Sequence, residues 1–424
     1  MKHSRKRDSR LPGIVKTAAA CCWTVLFFSQ KSLAQQTLPL DSVLTRIERS
    51  HPALKAPDAR IRELDTYASG TVTLPPPRVS GGFWMTPYNP GRWKEGMGAF
   101  MVSGEQMLPN RTMQKAEGRY MASMSAMQSA EKGVMRNMLF AEAKTAYFNW
   151  QVLKKKTAVL DESKNLLRLM LESARERYKF NREKLGSIYK AETEIADLDR
   201  MQAMLAGEIR QQKTTLEALM QFPAEDFDVD TFWQVPPPLP NLPDTARIAA
   251  RSDIRAVEAS LRTARLEQEW NRSKLKPEFG IRYDHMFAFG GQPWQFSLMG
   301  MMTVPIAPWA NKDIKTRIEG IDFRLAAFEH EKAALANAVR GAAADRLVMM
   351  QTLQNQIERY DNSLIPNQHK RFQSTLLAYE QNTDELFMVL DAWLELKMSR
   401  LAQLDLLQQF FKTRTEYEKE FEIR

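Results

Sequence analysis

Residues recur in this chain at a nearly constant offset of 199 to 202 positions, and that recurrence limits the fold more than any other feature. Leu54-Lys55-Ala56, Ala59 and Arg62 return as Ile254-Arg255-Ala256, Ala259 and Arg262, and Pro77 returns as Pro277. Pro109, Asn110 and Glu117-Gly118 are echoed by Pro308, Asn311 and Glu319-Gly320. Tyr178, Asn181 and Leu185 are echoed by Tyr379, Asn382 and Leu386. Periods of roughly 20–50 residues would indicate a solenoid. An offset near 200 indicates one large unit written twice, with insertions of only a residue or two inside it.

Each unit reads as a helix, two strands and a long helical pair. In the second copy Phe279, Ile281 and Tyr283 alternate with Glu278, Gly280, Arg282 and Asp284, and Phe296, Leu298, Met302 and Val304 alternate with Gln295, Ser297 and Thr303. That period of two predicts strands. In the first copy Val79, Gly81 and Phe83 share one phase, as do Phe100 and Val102. Trp84, Tyr88, Trp93 and Trp294 fall at the strand tips, where a membrane barrel places its aromatic girdle; the edge of a soluble sandwich is the alternative. Leu139, Ala143, Ala146, Trp150, Leu153, Thr157, Leu160, Lys164, Leu167 and Leu171 step by four and three, a sustained heptad. Val339, Ala343, Arg346, Met350, Leu353, Ile357, Tyr360 and Leu364 keep the same rhythm.

No proline interrupts residues 110–222. A single helix over 110–181 would span on the order of 100 Å, so the chain has to turn back, with reversals expected at 181–186 and 382–386. The expected organisation is a first unit over 35–221, with a β-hairpin at about 72–107 and a long helical hairpin at about 110–221. A connector over 222–244, containing Pro236-Pro237-Pro238 and Pro240, would pack on the waist of the helical part. The second unit covers 245–424, with a hairpin at about 278–305 and helices at about 309–422.

Residues 1–34 read as an export signal: Lys2, Arg5, Lys6, Arg7, Arg10 and Lys16, an apolar run Ala18–Phe28, then Ser32-Leu33-Ala34. Eleven apolar residues are too few for a membrane-spanning helix, which needs about 20. Cys21 and Cys22, the chain's two cysteines, lie in that run, so the mature chain is expected to have no disulfide. The segment carries seven Lys/Arg and one Asp, and removing it lowers the formal net charge of +9 by six. The case for nucleic-acid binding goes with it.

No later segment offers 18 consecutive apolar residues, which leaves a β-barrel as the route into a membrane. His51, His285, His330 and His369 lie far apart, and no nucleophile elbow, phosphate loop or HExxH helix is present. The expectation is no enzyme, no cofactor and no metal-ligand set. The 23 methionines include Met121, Met124 and Met127 at helical spacing and Met299, Met301 and Met302 on a strand. Adaptable packing accounts for such stripes, and soft-metal binding is the sharper alternative.

With these residues in view, the chain resembles the TolC family of outer-membrane efflux proteins over essentially its whole mature length. The resemblance rests on the duplicated helix, hairpin and coiled-coil unit, on His51-Pro52, and on Val389-Leu390-Asp391-Ala392 after the second reversal. It implies a mostly α fold with a transmembrane β-barrel part: four strands per protomer, a twelve-stranded barrel in a homotrimer, and long antiparallel coiled coils forming a periplasmic tunnel. It also implies a passive exit duct in outer-membrane lipid, docked to a periplasmic adaptor (membrane fusion protein) and an inner-membrane pump of the RND type. An exit duct for type I protein secretion, or a periplasmic coiled-coil adaptor or structural protein, are the alternatives. Two departures stand out. Asn181 and Asn382 stand where the family usually has glycine, and Met388 stands where it can carry a first mouth carboxylate.

Three groups of residues follow as site expectations. Phe279, Ile281, Tyr283, Phe296 and Leu298 occupy the apolar phase of the strands and are expected to face lipid. Arg182, Glu183, Lys184, Thr383, Asp384 and Glu385 are charged or polar residues at the reversals, expected at the rim that meets the adaptor, against the plainer reading of a solvated turn. The resemblance puts Asp391 at the periplasmic aperture, and the 201-residue offset pairs it with Lys190. Three of each would alternate around a ring, unless both simply face the periplasm on outer helix surfaces.

Overall fold

The structure, a computed structural model, describes residues 36–221, 227–230, 245–305 and 307–424. The expected export signal and most of the expected connector lie outside the described residues. In chain order the elements are β1 Gln36–Leu38, α1 Leu40–Ser50, α2 Pro52–Ser69, β2 Arg78–Trp84, β3 Ala99–Leu108, α3 Arg111–Tyr178 and α4 Leu185–Met220. Then come β4 Phe227–Val229, α5 Thr245–Ala249, α6 Ser252–Ser273, β5 Glu278–Ala288, β6 Gln295–Thr303, α7 Pro308–Arg359, α8 Ile365–Glu380 and α9 Leu386–Glu420.

Helix α3 runs for 68 residues, on the order of 100 Å at 1.5 Å per residue. Asn110 caps it, its Oδ1 accepting from the Thr112 amide at 2.8 Å. It ends where Asn181 takes φ 55°, a left-handed turn that asparagine tolerates. The Arg182 amide then reaches back to the Arg177 carbonyl at 3.0 Å, closing the exposed end of the helix. The second reversal is built alike: Asn382 has φ 58°, and the Thr383 amide donates to the Ala378 carbonyl at 2.9 Å.

The second long helix is not continuous. A π-helical turn over Tyr360–Leu364 separates α7 from α8. The heptad through Leu364 gives no warning of it, but Pro366 does. Inside a helix proline lacks the amide hydrogen, and its ring clashes with the carbonyl four residues back, and a widened turn just before it relieves both.

One further feature was not anticipated. Phe227–Val229, inside the expected connector, forms a strand that pairs in parallel with Gln36–Leu38. Phe227 and Val229 are buried with Trp150, Leu216 and Met220. Most of the apolar heptad positions lie in the core of the long helices: Leu160 and Leu167 have no exposed surface and pack with Leu198, Val389, Leu390 and Trp393, whereas Leu364, the last of the second heptad, is exposed. Each buried side chain is worth about 1.5–3 kcal/mol of burial.

The other four strands form one antiparallel sheet in the order β2-β3-β5-β6, so β2 and β6 are its unpaired edges. Among the described residues no helix is long and apolar enough to cross a membrane.

Candidate functional site

The sheet has two unlike faces. Register places Val102 opposite His285 and His285 opposite Phe296; Gly104, Tyr283 and Leu298 form the next row, and Leu108, Phe279 and Met302 another. With Val79 and Phe83 of β2, this face is apolar and open to the surroundings: Phe296 is 71% exposed, Leu298 68%, Phe279 57% and Ile281 50%. Among the described residues this apolar sheet face has no cover, the kind of patch that marks a membrane or partner surface.

The opposite face is polar at its centre. Asp284 is buried, accepts from Arg282 Nε at 2.8 Å and from Ser297 Oγ at 3.0 Å, and lies opposite Ser103. One row away Arg78, Glu105 and Arg282 alternate in sign across three strands. Beyond the outer strand ends, Trp93 stacks on Phe289 with centroids 5.4 Å apart, Phe83 packs on both, and Trp294 meets Phe287 edge-on at 5.1 Å.

At the far end of the helices the two reversals meet. Lys184 Nζ lies 2.6 Å from Glu385 Oε1, and Arg177 donates to the Tyr379 carbonyl at 2.8 Å and to Asn382 Oδ1 at 3.0 Å. Arg182, Glu183, Thr383 and Asp384 complete the lining of a recess of about 370 Å³. All six expected rim residues are thus gathered in one place within a single chain. Of the two residues that hold the reversals together, Tyr379 stands out in the sequence only as the echo of Tyr178, and Arg177 carries no signal beyond its position just before the first turn.

Asp391 and Lys190 have separate partners within the chain. Arg371 of α8 sits between two carboxylates of α9: its Nη2 is 3.3 Å from Asp391 Oδ2, and its Nη1 donates to Glu395. Lys190 Nζ rests 3.5 Å above the Phe387 ring. Nearby, Lys397 is buried, 3.5 Å from Glu194 Oε2 and 4.7 Å from the Trp393 ring centroid. The polar groups of this region are therefore held by side chains of the same chain. Among the described residues no group of three or more His, Cys, Asp or Glu is placed to hold a metal ion.

No protein-family model matches this sequence, and no curated protein matches it. Solved structures do match in fold. CusC, described as forming a transmembrane channel, superposes with a TM-score of 0.74 at 13% identity, covering 90% of this chain and 91% of its own. The outer-membrane channel OprN gives 0.72 at 14% identity, covering 90% and 89%. The MtrE outer-membrane channel of Neisseria gonorrhoeae, in its open state, gives 0.69 at 15% identity, covering 90% and 88%. The chain has the fold of these channel proteins along nearly its full length.

Proposed function

We propose that this chain, which has the fold of outer-membrane channels, is itself an outer-membrane efflux channel of the TolC type. The observation that carries the reading is the four-stranded sheet: apolar and uncovered on one face, polar on the other, with both edges unpaired. Open strand edges are not tolerated in hydrocarbon. Four strands of 7, 10, 11 and 9 residues are too few to close a barrel alone, and three chains supply twelve. In the homotrimer β6 of one chain pairs with β2 of the next, the apolar face meets lipid, and the long helices enclose a tunnel through the periplasm.

The chain is then two copies of one unit, 35–221 and 245–424. Matching contacts support this: Gln202 donates to Asp161, and Gln403 donates to Asp361. The joined reversals, with Arg182, Glu183, Lys184, Thr383, Asp384 and Glu385, form the periplasmic rim that docks a periplasmic adaptor fed by an inner-membrane RND-type pump. Asp391 sets the charge of the aperture, with Arg371 as its counter-ion and Lys190 nearby on the neighbouring hairpin. The channel performs no chemistry; cargo crosses passively.

The test is fractionation with heat-modifiable electrophoresis. The mature chain should sediment with outer membranes and run as a trimer until boiled. A monomer in the periplasmic fraction would overturn the reading.

A further inference from the structure

Where α2 ends and α3 begins, next to the sheet, a groove of about 640 Å³ runs between the two helices. Its place follows from the chain: Val72 and Leu74 lie between α2 and β2, and Arg111 is three residues beyond Leu108, the last residue of β3. Gly118 lets the end of α2 settle onto α3, since a Cβ there would stand 2.8 Å from Thr71 Oγ1. The floor is apolar, built from Ala68, Val72 and Ala122, and Val72 and Leu74 are 67% and 63% exposed. The rim is basic. Arg111, Lys115 and Arg119 follow one another at a spacing of four along α3, so all three lie on one side of the helix. Arg119 is 3.2 Å from Glu269, with both side chains exposed. Among the described residues Arg111 and Lys115 make no ion pair, and no acidic residue lines the groove.

We propose that this groove binds one anionic phospholipid of the membrane's periplasmic leaflet, with the phosphate on Arg111 and Lys115 and an acyl chain over Val72. Two observations choose the occupant. A basic rim without a carboxylate calls for an anion, and guanidinium and ammonium groups are matched to phosphate. The apolar floor leads through Leu74 to Val79 on the uncovered face of the sheet, so the anion that fits carries a hydrocarbon tail. The groove also opens on the outer side. The same side of α3 continues past Ala126 and Gly133 to a recess that reaches Glu48 of α1, and α1 with β1 and β4 would obstruct a tunnel if they lay inside the ring of long helices. The inference rests on the channel reading, which puts the sheet in the bilayer and these helix ends at its periplasmic surface. The second copy has no such rim: Arg317 is paired with Asp313 at 3.0 Å, and buried Ile321 stands 202 residues from Arg119. One lipid per chain is therefore expected.

The test is native mass spectrometry of the purified full-length protein in detergent, with dioleoylphosphatidylglycerol as the anionic probe and dioleoylphosphatidylcholine as its zwitterionic control. Wild type should retain one phosphatidylglycerol per chain under activation that strips phosphatidylcholine. Arg111→Gln with Lys115→Gln should lower phosphatidylglycerol affinity at least tenfold, at about fivefold for each charge removed, and leave phosphatidylcholine unaffected. Arg111→Lys with Lys115→Arg keeps both charges and should retain binding. Val72→Asp keeps the rim but sets a carboxylate under the tail, and should weaken it. Equal retention of the two lipids by wild type, a result that needs no variant to fold, would overturn the proposal. So would a double glutamine variant that binds as wild type does. Displacement of phosphatidylglycerol by millimolar inorganic phosphate would make the groove a site for the free anion and equally overturn it. A double glutamine variant that falls apart into single chains with lipid binding intact would assign the two cations to a contact between chains, and would overturn it too. Planar-bilayer conductance of the wild type, recorded in parallel, separates the two readings: lipid selectivity without a channel sinks the channel reading alone, and a channel without lipid selectivity sinks the site alone.

Discussion

The guanidinium of Arg177 lies 4.2 Å above the ring of Tyr379, joining the ends of two helices that are 202 residues apart in sequence. Tyr379 is 4% exposed. Burial, followed by the nearby Glu183 carboxylate, pushes its hydroxyl from an ordinary value near 10 up to about 12. No hydrogen bond of normal geometry reaches the hydroxyl among the described residues, and Glu183 acts on it as a close, negatively charged acceptor. The folded chain keeps this proton where the unfolded chain has lost it. The associated stability is therefore complete below pH 10 and is lost as pH rises toward 12. Tyrosinate absorbance of the folded protein should show a step near pH 12 that Tyr379→Phe deletes. Since no hydrogen bond of normal geometry is lost, the phenylalanine variant should unfold within about 1 kcal/mol of the parent at neutral pH.

Ile281 sits in the middle of the apolar face, half exposed and opposite Gln106 and Gly300. Arginine there should cost about 2–4 kcal/mol if the residue lies near the bilayer midplane. The measurement is the yield of assembled trimer in the outer membrane. Arg282→Lys, one position along and on the other face, should leave yield unchanged, and equal yields for both variants would mean the apolar face does not meet lipid.

Much of this arrangement was legible in the sequence. Alternation through Glu278–Asp284 marks β5, the heptad marks the buried seam of the long helices, and Asn181 and Asn382 mark the left-handed turns. What escaped depends on contacts between distant segments. A three-residue strand at Phe227–Val229 has too few positions for any period to show, and its pairing with Gln36–Leu38 spans the whole first half of the chain. The partner of Asp391 is Arg371, twenty residues earlier on the opposite arm of a hairpin, and which of several arginines faces that carboxylate is set by helix packing alone.

Arg371 is shared by Asp391 and Glu395, with Glu395 the stronger influence in holding the guanidinium charged. Replacing Arg371 by alanine should therefore bare two carboxylates near the proposed aperture at once. In single-channel recordings Arg371→Ala should strengthen block by cations, Asp391→Ala should raise conductance and weaken that block, and the double variant should resemble Asp391→Ala more than wild type. Traces indistinguishable from wild type for all three would leave the pair no part in the aperture.

Lys184 and Glu385 pair at 2.6 Å across the joined reversals, both well exposed, so the bond itself contributes only about 0–1 kcal/mol. Cysteines introduced at both positions together would sit close enough to engage each other. They should therefore be introduced singly, and each alone should crosslink to the adaptor in cells. An intact pump with no crosslink from either position would place the docking surface elsewhere.

On the two-unit reading, the π turn at Tyr360–Leu364 records an event in the chain's history. Asp161 and Asp361 are 200 residues apart, but Tyr178 and Tyr379 are 201 apart, so the second arm holds one residue more between those points. An added residue would swing everything beyond it by about 100° around the helix axis, carrying Tyr379 away from Arg177. The wide turn swallows the surplus and restores the phase. The first arm is consequently a single stiff rod and the second a jointed one, and a torque applied at the rim is passed along one limb of the molecule while it is taken up partway along the other.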